Sequence, residues 1–339
     1  MSSEEFVALD TSVPGTRLVA GGGRLDRQRL MRRLGRGDRV FHALTFLSAL
    51  GVLIVLGAIF ASLIIGSWLA LSTYGIGFFS SQSWNPVTEK FGALAPIYGT
   101  VVTSLIAMLI AVPTGLGVAV FLTELCPVRL RQPVGIAIEL LAGIPSIIYG
   151  IWGLFFLAPL LQEYVQPGLI AVSGNIPILS SLFQGPPYGI GMLTAGLILA
   201  VMVLPFIAAV SRDVFATVPP MLKEAAYGIG CTPWEVVRRI MVPFTSVGLL
   251  GGIMLALGRA LGETMAVTFV IGNAHKISAS IIAPGTTISA TIANEFTEAS
   301  GDLYTSSLIA LGLILFIIAF IVLALARLML ARIERKSAK

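Results

Sequence analysis

Charge is scarce in this 339-residue sequence: Asp, Glu, Lys and Arg make up 12% of it, against 56% hydrophobic residues. A soluble domain carries about twice that charge, so a bilayer is the natural solvent for this chain. Histidine is rarer still. His42 and His275 are the only two, and neither lies in an HExxH pattern, which leaves no protease-type zinc site. None of Lys90, Lys223, Lys276, Lys336 and Lys339 follows a glycine, so the chain lacks the phosphate loop of an ATPase. The two cysteines, Cys126 and Cys231, fall in segments assigned below to the reducing side of a membrane, and no structural disulfide is expected. The net charge of +5 comes from basic residues scattered around apolar runs, without a nucleic-acid-binding signature.

What is abundant is long apolar sequence. Six charge-poor windows, at about 43–70, 96–122, 134–161, 189–210, 247–272 and 305–326, reach the roughly 20 residues needed to cross about 30 Å of hydrocarbon. The first is too long for the core of a signal peptide and is expected to stay as a membrane helix. The fold class is therefore all-α and polytopic, with residues 1–40 as a basic, poorly ordered tail and 41–335 as the membrane domain. Lys and Arg divide unequally between alternate connections. Nineteen lie in the tail, in 124–133, in 211–243 and from Arg327 onward; only Lys90 and Lys276 lie on the other side. That asymmetry places both termini in the cytoplasm.

The two long outer connections, 162–188 and 273–304, are read differently. The first is interrupted too often by Ser, Gly, Asn and Pro to hold a further span, whereas the second should hold a helical turn or two between Thr286 and Glu298. Pro113, Pro145 and Pro205 lie within spans, where each removes a backbone donor and should kink or open its helix.

The inner connection at about 219–243 is the most informative stretch. Pro220 suits a first helical turn, Gly228 or Gly230 can end that helix in the left-handed conformation, and Thr232 with Glu235 forms a capping box. Pro243 is expected to close this helix–turn–helix unit. Glu224-Ala225-Ala226, Gly230 and Ile240 to Pro243 resemble the EAA motif of bacterial ABC-importer permeases, with Val242 in place of the usual Leu. The resemblance implies six membrane helices of the type I importer permease, and a coupling element at Glu224, Ala225, Ala226, Gly230, Ile240 and Pro243 that docks on a separate ATPase. ATP and Mg would then bind to that partner, and this chain would hold no cofactor.

Three ionisable residues fall inside predicted spans: Glu139, Arg259 and Glu263. Such residues are costly in hydrocarbon and mark candidate polar pathways. Arg259 lies thirteen residues beyond Ser246, roughly 20 Å along a helix, and Glu263 follows at i+4 on the same face. The two side chains could line a translocation path or neutralise each other in packing. A guanidinium is well matched to an oxyanion.

The segment Gly258 to Val267, with Pro96 to Thr100 and Gly143 to Gly150, resembles the C-type permeases of phosphate-specific (Pst) ABC importers over about residues 40–335. That likeness implies inorganic phosphate as substrate, an A-type permease partner, two ATPase subunits and a periplasmic or lipid-anchored phosphate-binding protein at the inner membrane. A permease for another oxyanion, or an ion-gradient-driven transporter using Glu139 and Glu263, are the alternatives.

Overall fold

The structure is a computed structural model that describes residues 23–174 and 176–337. Residues 1–22 of the expected tail lie outside the described residues. Among the described residues the chain is helical, with a single isolated bridge between Asn85 and Lys90. Six helices are long and apolar enough to cross a membrane.

Helix α1, Gly23–Tyr74, begins well before the expected first span. Its Arg- and Leu-rich start consists largely of good helix formers, so the helix extends into the basic segment. The chain divides into two units at Ala61 and Ser62. In the first, described from Gly23, all side chains from Val40 to Ala61 are exposed. The second unit contains everything that follows.

In that second unit α2 is Leu94–Leu125, α3 Val128–Ala142, α4 Ser146–Ser173 and α5 the short Pro177–Leu182. Then come α6, Met192–Ala216; α7, Pro220–Gly228; and α8, Pro233–Leu261. Further along are α9, Met265–Thr268; α10, Ile288–Glu295; and α11, Asp302–Ser337, and a single turn of helix, Gly77–Ser80, lies before α2. Helix α6 is central and packs most extensively against α2. The two run parallel: Gly196 sits against Ile106 and Gly115 against Ile207. Glycine at these points lets the helices approach to a distance that a methyl group would prevent.

The expected third span, 134–161, is corrected: the helix long and apolar enough to cross is Ser146–Ser173, and residues 134–142 belong to the separate helix α3. The chain breaks at Gly143-Ile144-Pro145, where Pro145 adopts extended backbone at φ −56° and ψ 137°. Proline disfavours helical backbone at the residue before it and carries no N–H, so an α-helix tends to stop there. Helix α3 and the first half of α4 together run antiparallel to α6, with Glu139 at Arg212, Gly153 at Ile198 and the Ala158 carbonyl at Gly189. Beyond Ala158, α4 continues to Ser173, past the end of α6. The chain passes through Pro113 and Pro205 without leaving the helix.

The connection after α9 folds back onto the bundle. Its carbonyls at Ala283 and Ile281 accept hydrogen bonds from Met192 N and Leu193 N, at 3.3 and 2.7 Å. These are among the donors that the first turn of a helix leaves unmatched. Thr287 caps α10, which confirms the helical turns expected between Thr286 and Glu298. Ile288 N donates to Thr100 Oγ1 at 2.9 Å, and Gly99 lies directly against the Thr286 carbonyl.

Candidate functional site

The predicted coupling element is a compact helical unit at one end of the bundle. Helix α7 ends in a paired cap: Cys231 N bonds to the Ala226 carbonyl at 3.1 Å and Gly230 N to the Tyr227 carbonyl at 3.0 Å. That geometry needs a left-handed residue, and Gly230 supplies it at φ +91°. Of the two glycines considered, only Gly230 takes that role. The capping box is also present, with Glu235 N donating to Thr232 Oγ1 and Thr232 N donating to Glu235 Oε2 at 2.9 Å.

The motif residues divide between two jobs. Ala226 is buried with Val236, Val237 and Met241 among Ala119, Phe215, Val218 and Leu249. That cluster seats the element on α2, α6 and α8. Glu224, Ala225 and Gly230 face outward, as does Pro243, while Ile240 is half-buried. Beside them Met221, Ile229 and Trp234 expose 78%, 83% and 67% of their surface. Large apolar side chains gathered at an exposed surface mark a place for a protein partner.

Pro243 does not close the unit. Helix α8 runs without interruption from Pro233 to Leu261, so the second helix of this unit is the start of the fifth candidate span. A π-helical turn at Val237–Met241 ends two residues before the proline. A wider turn relieves the clash that a helical proline makes with the carbonyl four residues earlier, and the helix continues.

Helix α8 ends sooner than expected, at Leu261, with Gly262 at φ −91° and ψ 0°. Glu263 therefore lies beyond the helix, and the i+4 relation with Arg259 does not exist. Glu263 Oε1 instead accepts from Ala266 N at 3.4 Å at the start of α9. Among the described residues no ion pair involves Arg259, which is exposed in the last turn of α8. Its charge there complements the partial negative charge at the helix C-terminus.

Depth can be read from packing. Gly248 meets Val214 and Gly252 meets Val210. In that antiparallel register Arg259 is level with Val203, near the middle of α6. The same reasoning sets the Gly143–Pro145 break level with Phe206 to Ala208, and Pro113 level with Pro205. The Gly143–Pro145 break, the two helical prolines and the Arg259 guanidinium, which no ion pair among the described residues involves, thus share one central layer.

Glu139 lies elsewhere. It is on α3, 2.7 Å from Arg212, which also binds Asp213 at 3.0 Å. The structure thus does not bring Glu139 together with Arg259 and Glu263: it is one half of a half-exposed ion pair nearer the α7 end. Composition does not show this, because the charge pattern assigns Arg212 to the 211–243 connection, whereas α6 extends to Ala216.

Sequence reasoning also missed two polar clusters. Glu124, at the end of α2, is 2.7 Å from Lys223 and nearly buried. Glu295 of α10 receives Tyr304 Oη at 2.8 Å and the Trp84 indole, and meets His275 Nε2 at 2.9 Å. Burial pushes the Glu295 carboxyl up, but the hydrogen bonds from His275, Tyr304 and Trp84 together outweigh it and hold the group below its ordinary value. Both cysteines are free. Among the described residues no three His, Cys, Asp or Glu side chains gather closely enough to hold a metal ion.

Residues 111–335 match the model of the family described as binding-protein-dependent transport system inner membrane component. The chain is 67% identical over 314 residues to the phosphate transport system permease protein PstC of Mesorhizobium japonicum, covering 93% of this chain and 96% of that protein. It is 56% identical to the protein of the same name from Pasteurella multocida, over 89% of this chain and 94% of the other. Among solved structures, a chain of the bacterial alginate ABC transporter in complex with an alginate pentasaccharide-bound periplasmic protein aligns with a TM-score of 0.59. The identity there is 18%, and the alignment covers 90% of this chain and 98% of the other, so the likeness is one of fold.

Proposed function

The chain belongs to the family of binding-protein-dependent transport system inner membrane components, and from that membership we propose that it is the phosphate-translocating permease subunit of an ATP-driven importer. It is a multi-pass inner-membrane protein. The observation that carries the reading to phosphate is 67% identity across nearly the whole length of a phosphate permease. Helix α7 and the start of α8 supply the mechanical part. They are rigid, capped at both ends of the turn and continuous with a span, so a push on Glu224 and Ala225 reaches the central layer through α8.

The coupling element faces the cytoplasm, together with both termini. The sequence supports this orientation, with nineteen basic residues in the tail and alternate connections against two in the connections between them. Two ATPase subunits hold ATP and Mg, one docking on Glu224, Ala225, Ala226, Gly230 and the helix through Ile240 and Pro243. A periplasmic or lipid-anchored phosphate-binding protein delivers the anion to the opposite end. An A-type permease completes the path, because Arg259, Gly262 and Met265 are exposed on this chain by itself and need a second wall.

In the central layer Arg259 attracts the anion, and Glu263 accepts a hydrogen bond from the proton that phosphate retains at neutral pH. Sulfate has no such proton and would meet an unpaired like charge. The test is reconstitution of the four-component complex in vesicles. ATP-dependent uptake of labelled phosphate that requires the binding protein is expected. Uptake driven by an ion gradient without ATP would replace this reading with a secondary transporter, and preferential uptake of sulfate would replace the substrate.

A further inference from the structure

Glu124 ends α2 inside a π-helical turn, Phe121–Leu125, closed by Cys126 N on the Phe121 carbonyl at 2.7 Å. Its carboxylate, only 8% exposed, takes Lys223 Nζ at 2.7 Å on one oxygen and the Tyr227 hydroxyl at 3.4 Å on the other. Lys223 and Tyr227 are four residues apart on α7 and so share a face. Between them in sequence, Glu224 and Ala225 face outward. One short helix therefore presents the docking motif on one side and grips α2 on the other. Burial and the neighbouring Glu124 carboxylate push the Tyr227 phenol up, so the hydroxyl stays a donor at any physiological pH.

We propose that Glu124 is a positioning residue of the transport cycle, a strut that ties the coupling helix to the second span so that α2 follows α7 in both directions of the stroke. The inference rests on the importer reading above and adds to it the route of the force. Ala226 already joins α7 to α2, α6 and α8 through apolar contact. Apolar contact is non-directional: it resists compression but lets surfaces slide and part. A nearly buried ion pair with a second hydrogen bond is directional, and separating it leaves a carboxylate and an ammonium short of solvent. Helix α2 carries Pro113 at the level of the central layer, so displacement of its Glu124 end reaches the substrate path.

The experiment uses the full complex with the binding protein. Glu124→Gln, Lys223→Gln and the double variant are each compared with the parent for ATPase subunits copurified, ATP hydrolysis and phosphate uptake per ATP hydrolysed. Each single variant should retain its ATPase subunits and hydrolyse ATP, while uptake per ATP falls roughly tenfold. The double variant should be no worse than either single one, because residues acting as one unit are non-additive. Uptake per ATP at the parental value in Glu124→Gln overturns the strut. So does a loss confined to the amount of complex assembled, which would make the pair merely structural, and so does a double variant whose loss is the product of the single losses. If the parental complex moves no phosphate, the importer reading fails instead. The strut is then judged on ATPase stimulation by the binding protein, which Glu124→Gln should abolish and which, if retained, overturns it.

Discussion

His275 Nε2 lies 2.9 Å from Glu295 Oε1, and the His275 ring stacks flat on Trp84 with centroids 5.1 Å apart. This contact joins the connection before α10 to α10 itself and to the loop before α2. Because the Glu295 carboxyl is held below its ordinary 4.5, it contributes stability above that pH and loses it as pH falls through the lowered native value. Protection of the amides of residues 275–304, measured as exchange relative to the intrinsic rate at each pH, should be constant from pH 7 to about 5 and fall in more acidic solution. Glu295→Gln should exchange faster at pH 7 and lose the acid dependence; an unchanged profile would show that the cluster stabilises nothing.

Orientation is open to chemical labelling. With Cys126 and Cys231 replaced, single cysteines at the exposed positions Ser83 and Ser300 should react with an impermeant thiol reagent from outside, and one at Thr217 only after lysis. Labelling of Thr217 in intact cells would invert the topology.

The central layer makes separable predictions. Arg259→Gln should lower phosphate uptake by about a hundredfold or more, the scale expected when a charged hydrogen-bonding partner is removed from a low-dielectric path, with the complex still assembled. Glu263→Gln should leave phosphate uptake within about tenfold and admit sulfate, since the amide still accepts a hydrogen bond but no longer repels a dianion. Parental uptake by Arg259→Gln would leave the guanidinium a helix-end charge and nothing more.

For Glu139 the outcome should be mild. Its partner Arg212 keeps Asp213 at 3.0 Å, and both ends of the pair are partly solvated. Such pairs contribute about 1 kcal/mol or less. Glu139→Gln should melt within a few degrees of the parent and transport normally, and a block in uptake would return Glu139 to the path.

Two glycines offer a contrast in packing. A methyl group at Gly99 would lie 1.9 Å from the Thr286 backbone carbonyl, which cannot move without displacing the segment before α10. At Gly153 the same distance is to the tip of the Ile198 side chain, which can change rotamer. Gly99→Ala should destabilise by about 2 kcal/mol or more and Gly153→Ala by about 1 kcal/mol or less, read from melting in detergent.

The sequence by itself determined the elements whose causes are local. Apolar length set six crossing helices, Thr232 and Glu235 set a capping box, Gly230 set the end of α7, and the EAA residues marked the family. Each of these depends on neighbours within a few positions, so spacing along the chain carries the information. Tertiary structure alone decided the rest. Whether Pro243 stops a helix depends on the π turn before it, and whether Glu263 faces Arg259 depends on where α8 ends, at Leu261 with Gly262 as its cap. The partners of Glu124, Glu139 and Glu295 lie 99, 73 and up to 211 residues away in the chain. A carboxylate's role follows from the charge or donor that reaches it in space, and periodicity contains no term for that distance.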